Sequence, residues 1–398
     1  MMTPDHSADP LILSGIHYQT HEPVDVTVAS GIITDIHQRE QVSEEALAFI
    51  GPGLVDIQVN GFAGVDFNDA ALTADGVMTI TRSLLQLGVT TFYPTIITNA
   101  NETIRTILKT IDLACETSTL VASCIGGIHL EGPFISPEEG PLGAHPKAHV
   151  KPPDWSLLAS FIEASGGRVR IITLSPEWPE SAKFIRRCVE HGLLVAIGHT
   201  AANPTQIQEA VAAGARLSTH LGNAAHQLLP RHPNYIWEQL AQDELAASVI
   251  ADGFHLPPSV LKVIFRMKAE KAILISDSVS LGGMPPGNYY SPVGGEVVLT
   301  DEGKLHMAGK PMMLAGSAQP LLWGINQLVH LQLASLTQAW DMASINPSRL
   351  LNLPQQGGLT IGAPADLVIF SFNKIVKVYK KGCDTEIHRE NTEIRREK

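Results

Sequence analysis

Apolar and polar residues alternate in short runs over residues 11–50, as in Val24-Asp25-Val26-Thr27-Val28 and Ile32-Ile33-Thr34-Asp35-Ile36. This period-two pattern, broken at Ser30-Gly31, predicts small antiparallel strands joined by tight turns, with almost no helix signal. From Gly51-Pro52-Gly53 onward the texture changes to short β-branched runs alternating with helical stretches, the mark of repeated βα units. The expected strands are Leu54–Val59, Thr90–Thr95, Ile125–Leu130, Val169–Leu174, Leu194–Ile197, Arg216–Thr219, Ser248–Ala251 and Ala272–Ile275. Helices are expected between them. Leu72–Leu87 is stopped by Gly88, and Pro204–Ala213 starts at Asn203 as N-cap with Pro204 in the first helical position.

Eight such units favour an α/β fold of the (β/α)8 TIM-like barrel type over an open doubly wound sheet. After the eighth strand come a β-rich excursion, Gly294–Lys310, and helices across Ala318–Leu353. The runs Asp366–Ser371 and Ile375–Lys381 return to strand character and complete a small β-sandwich domain begun by the N-terminal segment. The expected organisation is residues 1–52 plus 360–383 as the small β-domain, 53–359 as the barrel and 384–398 as a charged, solvated tail.

Composition narrows the class. The chain has 398 residues, of which 44% are hydrophobic and 17% charged, enough apolar material for a large core and unlike a disordered chain. Lys+Arg 28 against Asp+Glu 40 gives a net charge of −12, which argues against nucleic acid or anionic membrane as partner. An anionic substrate would need a local basic cluster. Cys115, Cys124, Cys188 and Cys383 are scattered and form no C-x-x-C pair, so a reducing compartment fits better than a disulfide framework or thiolate zinc site. Met1 to Pro10 lacks a basic n-region and apolar h-region, and no apolar run is long enough to span a bilayer. The expectation is a soluble cytoplasmic protein.

In a barrel of this kind chemistry sits at the C-terminal ends of the strands, and the polar residues there are unusually many. Strand one ends Gln58-Val59-Asn60, strand three His129-Leu130-Glu131, strand five at His199, strand six at His220, strand seven runs into Asp252-Gly253-Phe254-His255 and strand eight into Asp277. Taken singly, such residues cap or pack; together they form a set. Glu131, His199 and His220 offer one carboxylate and two imidazoles, suited to a catalytic Zn²⁺ with an open position for water. Asp277 is the candidate acid/base, able to take a proton from that water and return it to a leaving nitrogen. His129 shares a strand face with Glu131 and either touches the site or packs beneath it; His226 and His232 read as solvated loop histidines.

These motifs together resemble the N-acetylglucosamine-6-phosphate deacetylase family of the amidohydrolase superfamily. The resemblance rests on Pro52–Gly61, His129-Leu130-Glu131-Gly132-Pro133, Gly143-Ala144-His145, Gly198-His199-Thr200, Thr219–Ala224, Ala251–His255, Ser276-Asp277 and Leu314–Ser317. It implies removal of acetate from a 2-acetamido sugar 6-phosphate in amino-sugar catabolism, with Glu131, His199 and His220 holding the metal. It further implies Asp277 as proton carrier and His145 polarising the acetyl carbonyl, a role worth about 3 kcal/mol for a single oxyanion donor. Ala144, His145, Asn223, Ala224, Arg231, His255 and Leu314, Ala315, Gly316 and Ser317 match substrate-contact positions, Arg231 and His255 near the phosphate. A homodimer is implied, with Arg231 contributed by the neighbouring subunit.

Related barrels carry His-x-His where this chain has Gln58 and Asn60, and amides are poor transition-metal ligands, so one divalent ion per subunit is expected. Zn²⁺ comes first; Fe²⁺, Co²⁺ and Mn²⁺ suit the same donors. Two departures bear on the substrate pocket. Asn234 stands where similar enzymes have glycine after Arg-x-Pro, and Ala225 stands where methionine is frequent, which enlarges the pocket. The rival readings are a deacetylase of another N-acetylhexosamine, either the galactosamine 6-phosphate or an unphosphorylated sugar, and a barrel that has lost catalysis and only binds.

Overall fold

The computed structural model describes residues 10–40, 48–291, 295–371 and 374–385. Eight parallel strands, Leu54–Val59, Val89–Ile97, Ile128–Glu131, Val169–Leu174, Leu194–Ile197, Leu217–Ser218, Ala246–Ile250 and Ala272–Ile275, lie side by side in chain order. The sheet closes on itself: Val59 bridges Ser278 in parallel, and the Asp277 N–H donates to the Gln58 carbonyl at 3.0 Å. Val55, Ile57, Tyr93, Ile171, Ala196, Leu217, Ala246 and Ile273 form one buried apolar cluster drawn from these strands, the packed interior expected of a small barrel.

Helices form where the sequence supplies caps and an apolar stripe. Thr73 accepts from the Gly76 N–H to start Ala74–Gln86, whose Val77, Ile80, Leu84 and Leu85 are buried. Asn203 and Gln206 make a reciprocal capping box on Pro204–Ala212. The third barrel strand begins at Ile128 and not at Ile125. Thr119–Cys124 winds into a short helix that ends on Ile125, and Gly126 passes so close to Tyr93 that a Cβ would fall 2.7 Å from its ring. The sixth strand is cut to Leu217–Ser218 because the chain turns at His220, φ 30°.

The β-rich excursion is longer than its sequence pattern, comprising Gly287–Ser291, Gly295–Leu299, Leu305–Met307 and Lys310–Leu314 as a separate antiparallel sheet. The first and last described segments enter one seven-stranded sheet, in which Phe49–Pro52 lies between Leu11–His17 and Leu367–Ser371. The sheet also takes in Cys383–Asp384, so it includes the first residue of the expected tail; residues 386–398 of that tail lie outside the described residues. No helix among the described residues is long and apolar enough to cross a membrane.

The terminal sheet is fastened to the barrel by buried polar contacts. Lys380 Nζ donates to Asp366 Oδ2 at 2.6 Å and to the carbonyl of Thr90, in the second barrel strand, at 2.8 Å. Removing one member of a buried pair strands the other charge, whereas removing both avoids that cost. Lys380→Met is therefore expected to destabilise the fold by about 3 kcal/mol, more than the double substitution Lys380→Met/Asp366→Leu. Urea unfolding of the two variants decides the order, and a double variant weaker than the single one would contradict it.

Candidate active site

Three of the site residues are held in backbone conformations that side chains rarely adopt: φ is 48° at His199, 30° at His220 and 47° at Asp277. Each follows the end of a barrel strand, and each such φ costs on the order of 1 kcal/mol. Neighbouring strands supply the restraint. The Ser136 N–H donates to the His199 carbonyl at 2.9 Å, the His220 N–H to Ser248 Oγ at 2.8 Å and the Asp277 N–H to the Gln58 carbonyl. Glu177, a residue the sequence reading passed over, accepts from the Ala201 N–H, Ser136 Oγ and Ser175 Oγ and so clamps the loop that carries His199.

These turns aim Glu131, His199 and His220 at one another. His199 Nε2 lies 3.2 Å and His220 Nε2 2.9 Å from Glu131 Oε1, and the two nitrogens are 3.1 Å apart. All three side chains are buried. Ligands about 2.0–2.1 Å from one tetrahedral ion are roughly 3.3 Å from each other, so the set fits a single small divalent cation. His199 Nδ1 is 2.8 Å from the Pro141 carbonyl, which places a proton there and leaves the Nε2 lone pair for a metal. Electrostatics agree. Burial favours the neutral Glu131, yet hydrogen bonds from His199 and His220 outweigh it and hold the carboxyl well below its usual range. Burial likewise disfavours a charged His220, and contact with Glu131 raises it all the same. The pocket attracts positive charge.

Gln58 and Asn60 serve the two carboxylates. Gln58 Nε2 donates to Glu131 Oε1 at 2.9 Å, and Asn60 Nδ2 donates to Asp277 Oδ1 at 2.7 Å. Asp277 is pushed up to about 6, first by burial and then by the Glu131 charge. His145 lies against His199 with ring centroids 4.3 Å apart, and burial together with the His199 charge drives it down to about 3, so it stays neutral.

His255 Nδ1 meets Asp252 Oδ2 at 2.7 Å, which fixes that ring after strand seven. Ser317 bridges Ser278 and a Cβ on Gly316 would fall 2.7 Å from Val279, so these two lie beside the segment that carries Asp277, whereas Leu314 and Ala315 bond to His306 and Leu305 of the antiparallel sheet. Asn223 caps the His220 carbonyl through its side chain, Ala224 turns at φ 45°, and Gly143, next to Ala144, leaves room for His199. Arg231 is exposed on its loop, and no ion pair to it forms among the described residues. Asn234, in place of glycine, is extended at φ −148° and caps Tyr235–Ala241, so no glycine is needed there. Ala225 lines a small pocket with His199, Asn223 and Ala224.

Three further histidines are settled by their contacts. His129 is fully buried between the Ile57 carbonyl and Thr173 Oγ1, a packing residue beneath the site. His226 is no free loop residue, since it joins Glu138 to Tyr235 and ties the loop of His145 to the loop of Arg231. His232 is exposed.

Purified protein is expected to carry about one divalent ion per chain, since the three donors suit one ion. Elemental analysis of Glu131→Ala should show near-complete loss, while Asp277→Asn keeps its ion. Full occupancy in Glu131→Ala would exclude this site.

The profile of the Amidohydrolase family matches residues 49–388. N-acetylglucosamine-6-phosphate deacetylase from Bos taurus is 34% identical over 330 residues, 80% of this chain and 79% of the bovine protein. The enzyme of that name from Bacillus subtilis (strain 168) is 33% identical over 336 residues, 83% of each. Among solved structures, the N-acetyl-D-glucosamine-6-phosphate deacetylase of Mycobacterium smegmatis superposes with a TM-score of 0.83 at 27% identity, covering 94% of this chain and 99% of that one. The chain belongs to the amidohydrolase family and, within it, to the N-acetylglucosamine-6-phosphate deacetylases.

Proposed function

We infer that the chain hydrolyses the acetamide of N-acetyl-D-glucosamine 6-phosphate to D-glucosamine 6-phosphate and acetate, a step of amino-sugar catabolism. One observation carries the reading: a buried Glu131/His199/His220 donor set beside a carboxylate whose proton affinity is raised, in a chain of this family.

Glu131 Oε1, His199 Nε2 and His220 Nε2 would hold the ion, and we propose Zn²⁺. When bound, the ion supplies Lewis acidity that makes a water acidic near neutral pH and polarises a carbonyl. Asp277 takes the proton of the attacking water at its carboxylate and delivers it to the departing nitrogen. Asn60 keeps that carboxylate oriented through its 2.7 Å hydrogen bond. His145, neutral and donating from its ring, stabilises the negative charge that grows on the acyl oxygen. Arg231 and His255 take the 6-phosphate, while Ala144, Asn223, Ala224 and Leu314–Ser317 shape the sugar site. The exposure of Arg231 and Trp237 suits a homodimer in which Arg231 reaches the partner's site. Scattered cysteines with no C-x-x-C pair support a cytoplasmic setting.

The ionised Asp277 is the working form, so a raised pKa places the acid limb of the pH profile near about 6. Below that pH kcat/KM should fall about tenfold per unit; a profile flat to about pH 4 would remove Asp277 as base. Asp277→Asn is expected to lower kcat about a thousandfold, and near-normal turnover would refute proton transfer. Arg231→Ala should raise KM for the phosphorylated sugar by about tenfold to a hundredfold and leave N-acetylglucosamine itself unaffected, as read by acetate release. Equal effects on both sugars would sink the phosphate assignment.

A further inference from the structure

Thr98 follows the second barrel strand directly and is fully buried beside His145. Its hydroxyl oxygen lies 2.8 Å from His145 Nδ1, and its backbone N–H donates to the same nitrogen at 3.4 Å. A peptide N–H is always a donor. A hydrogen on Nδ1 would face that N–H, an arrangement that favours the neutral ring with its proton on Nε2 and the Thr98 hydroxyl as the closer donor to Nδ1.

The neighbouring strand end secures this arrangement from the other side. Gly132, in the turn just after Glu131, has φ 96°, and a Cβ there would fall 2.3 Å from the Thr98 hydroxyl oxygen. The glycine of Glu131-Gly132-Pro133 therefore makes the space that Thr98 fills.

We propose that Thr98 is a positioning residue: it fixes His145 in the tautomer that can only donate from Nε2, and so prepares the ring to meet negative charge on the acyl oxygen. The opposite tautomer would turn a lone pair towards that oxygen and repel it. This inference rests on the reading that His145 serves the acyl oxygen in deacetylation, and the hydroxyl acts through His145 without touching the substrate.

Nitrogen-15 histidine NMR of the resting protein tests the tautomer without any turnover. The His145 signals, assigned by their loss in His145→Gln, should show a bare Nδ1 and a protonated Nε2; Thr98→Val keeps the backbone N–H but loses the closer hydroxyl donor, so its Nδ1 signal should shift towards that of an unbonded nitrogen. In acetate-release assays Thr98→Val should lower kcat about tenfold, with KM within about twofold and metal content unchanged. Thr98→Ser should restore most of the rate, and in a His145→Gln background Thr98→Val should add no further loss. If valine prevents folding, Thr98→Ala replaces it and Thr98→Ser still reads the hydroxyl. A protonated Nδ1 in the wild type, wild-type kcat in Thr98→Val, or an undiminished further loss in the His145→Gln background overturns the proposal. Wild-type protein that released no acetate would instead overturn the proposed reaction, and the NMR result would stand apart from it.

Discussion

A carboxylate and two imidazoles, with their ligand atoms no more than 3.2 Å apart and shielded from water, are the constraint around which the site is organised. Taking an ionised carboxylate out of water is costly unless positive charge stands beside it. Here the positive charge comes from shared protons on imidazoles, or from a divalent ion held by the same atoms. The depressed Glu131 and the raised His220 are two faces of that one demand.

Meeting it requires three strands to end at the same height and three side chains to turn inward. The barrel supplies the first through its parallel register, and positive φ at His199 and His220 supplies the second. Such backbone persists only where the surroundings hold it. Ser136, Ser248 and the Glu177 clamp do so from adjacent strands and loops, so the strain is balanced by hydrogen bonds to the backbone of His199 and His220 and to their loops, away from the imidazole rings.

Two carboxylates in one pocket end with opposite protonation behaviour. Glu131 has two imidazoles in contact and stays ionised; burial and the facing Glu131 charge make Asp277 hold its proton more tightly, against the pull of its amide donor Asn60. Environment, not residue type, sets the two carboxylates apart. The amides at Gln58 and Asn60 fit this division, each donating to one of the two.

Much of this was legible along the chain because it is local. Strand pairing needs period-two or β-branched runs, a cap needs a residue such as Asn203 in place, and a strand-end polar residue announces itself by position alone. All eight predicted barrel strands fall within three residues of those observed, and the donors Glu131, His199 and His220 do converge. What the sequence could not reveal depends on contacts between distant segments. Thr98 reads as one more β-branched residue until a loop forty-odd positions on brings His145 to it, and Glu177 reads as a surface acid until the His199 loop folds over it. Which groups stand at the strand ends can be read along the chain, since alternation and turn residues are short-range. Their proton affinities and backbone strain come from the closed barrel, which places distant segments around each group.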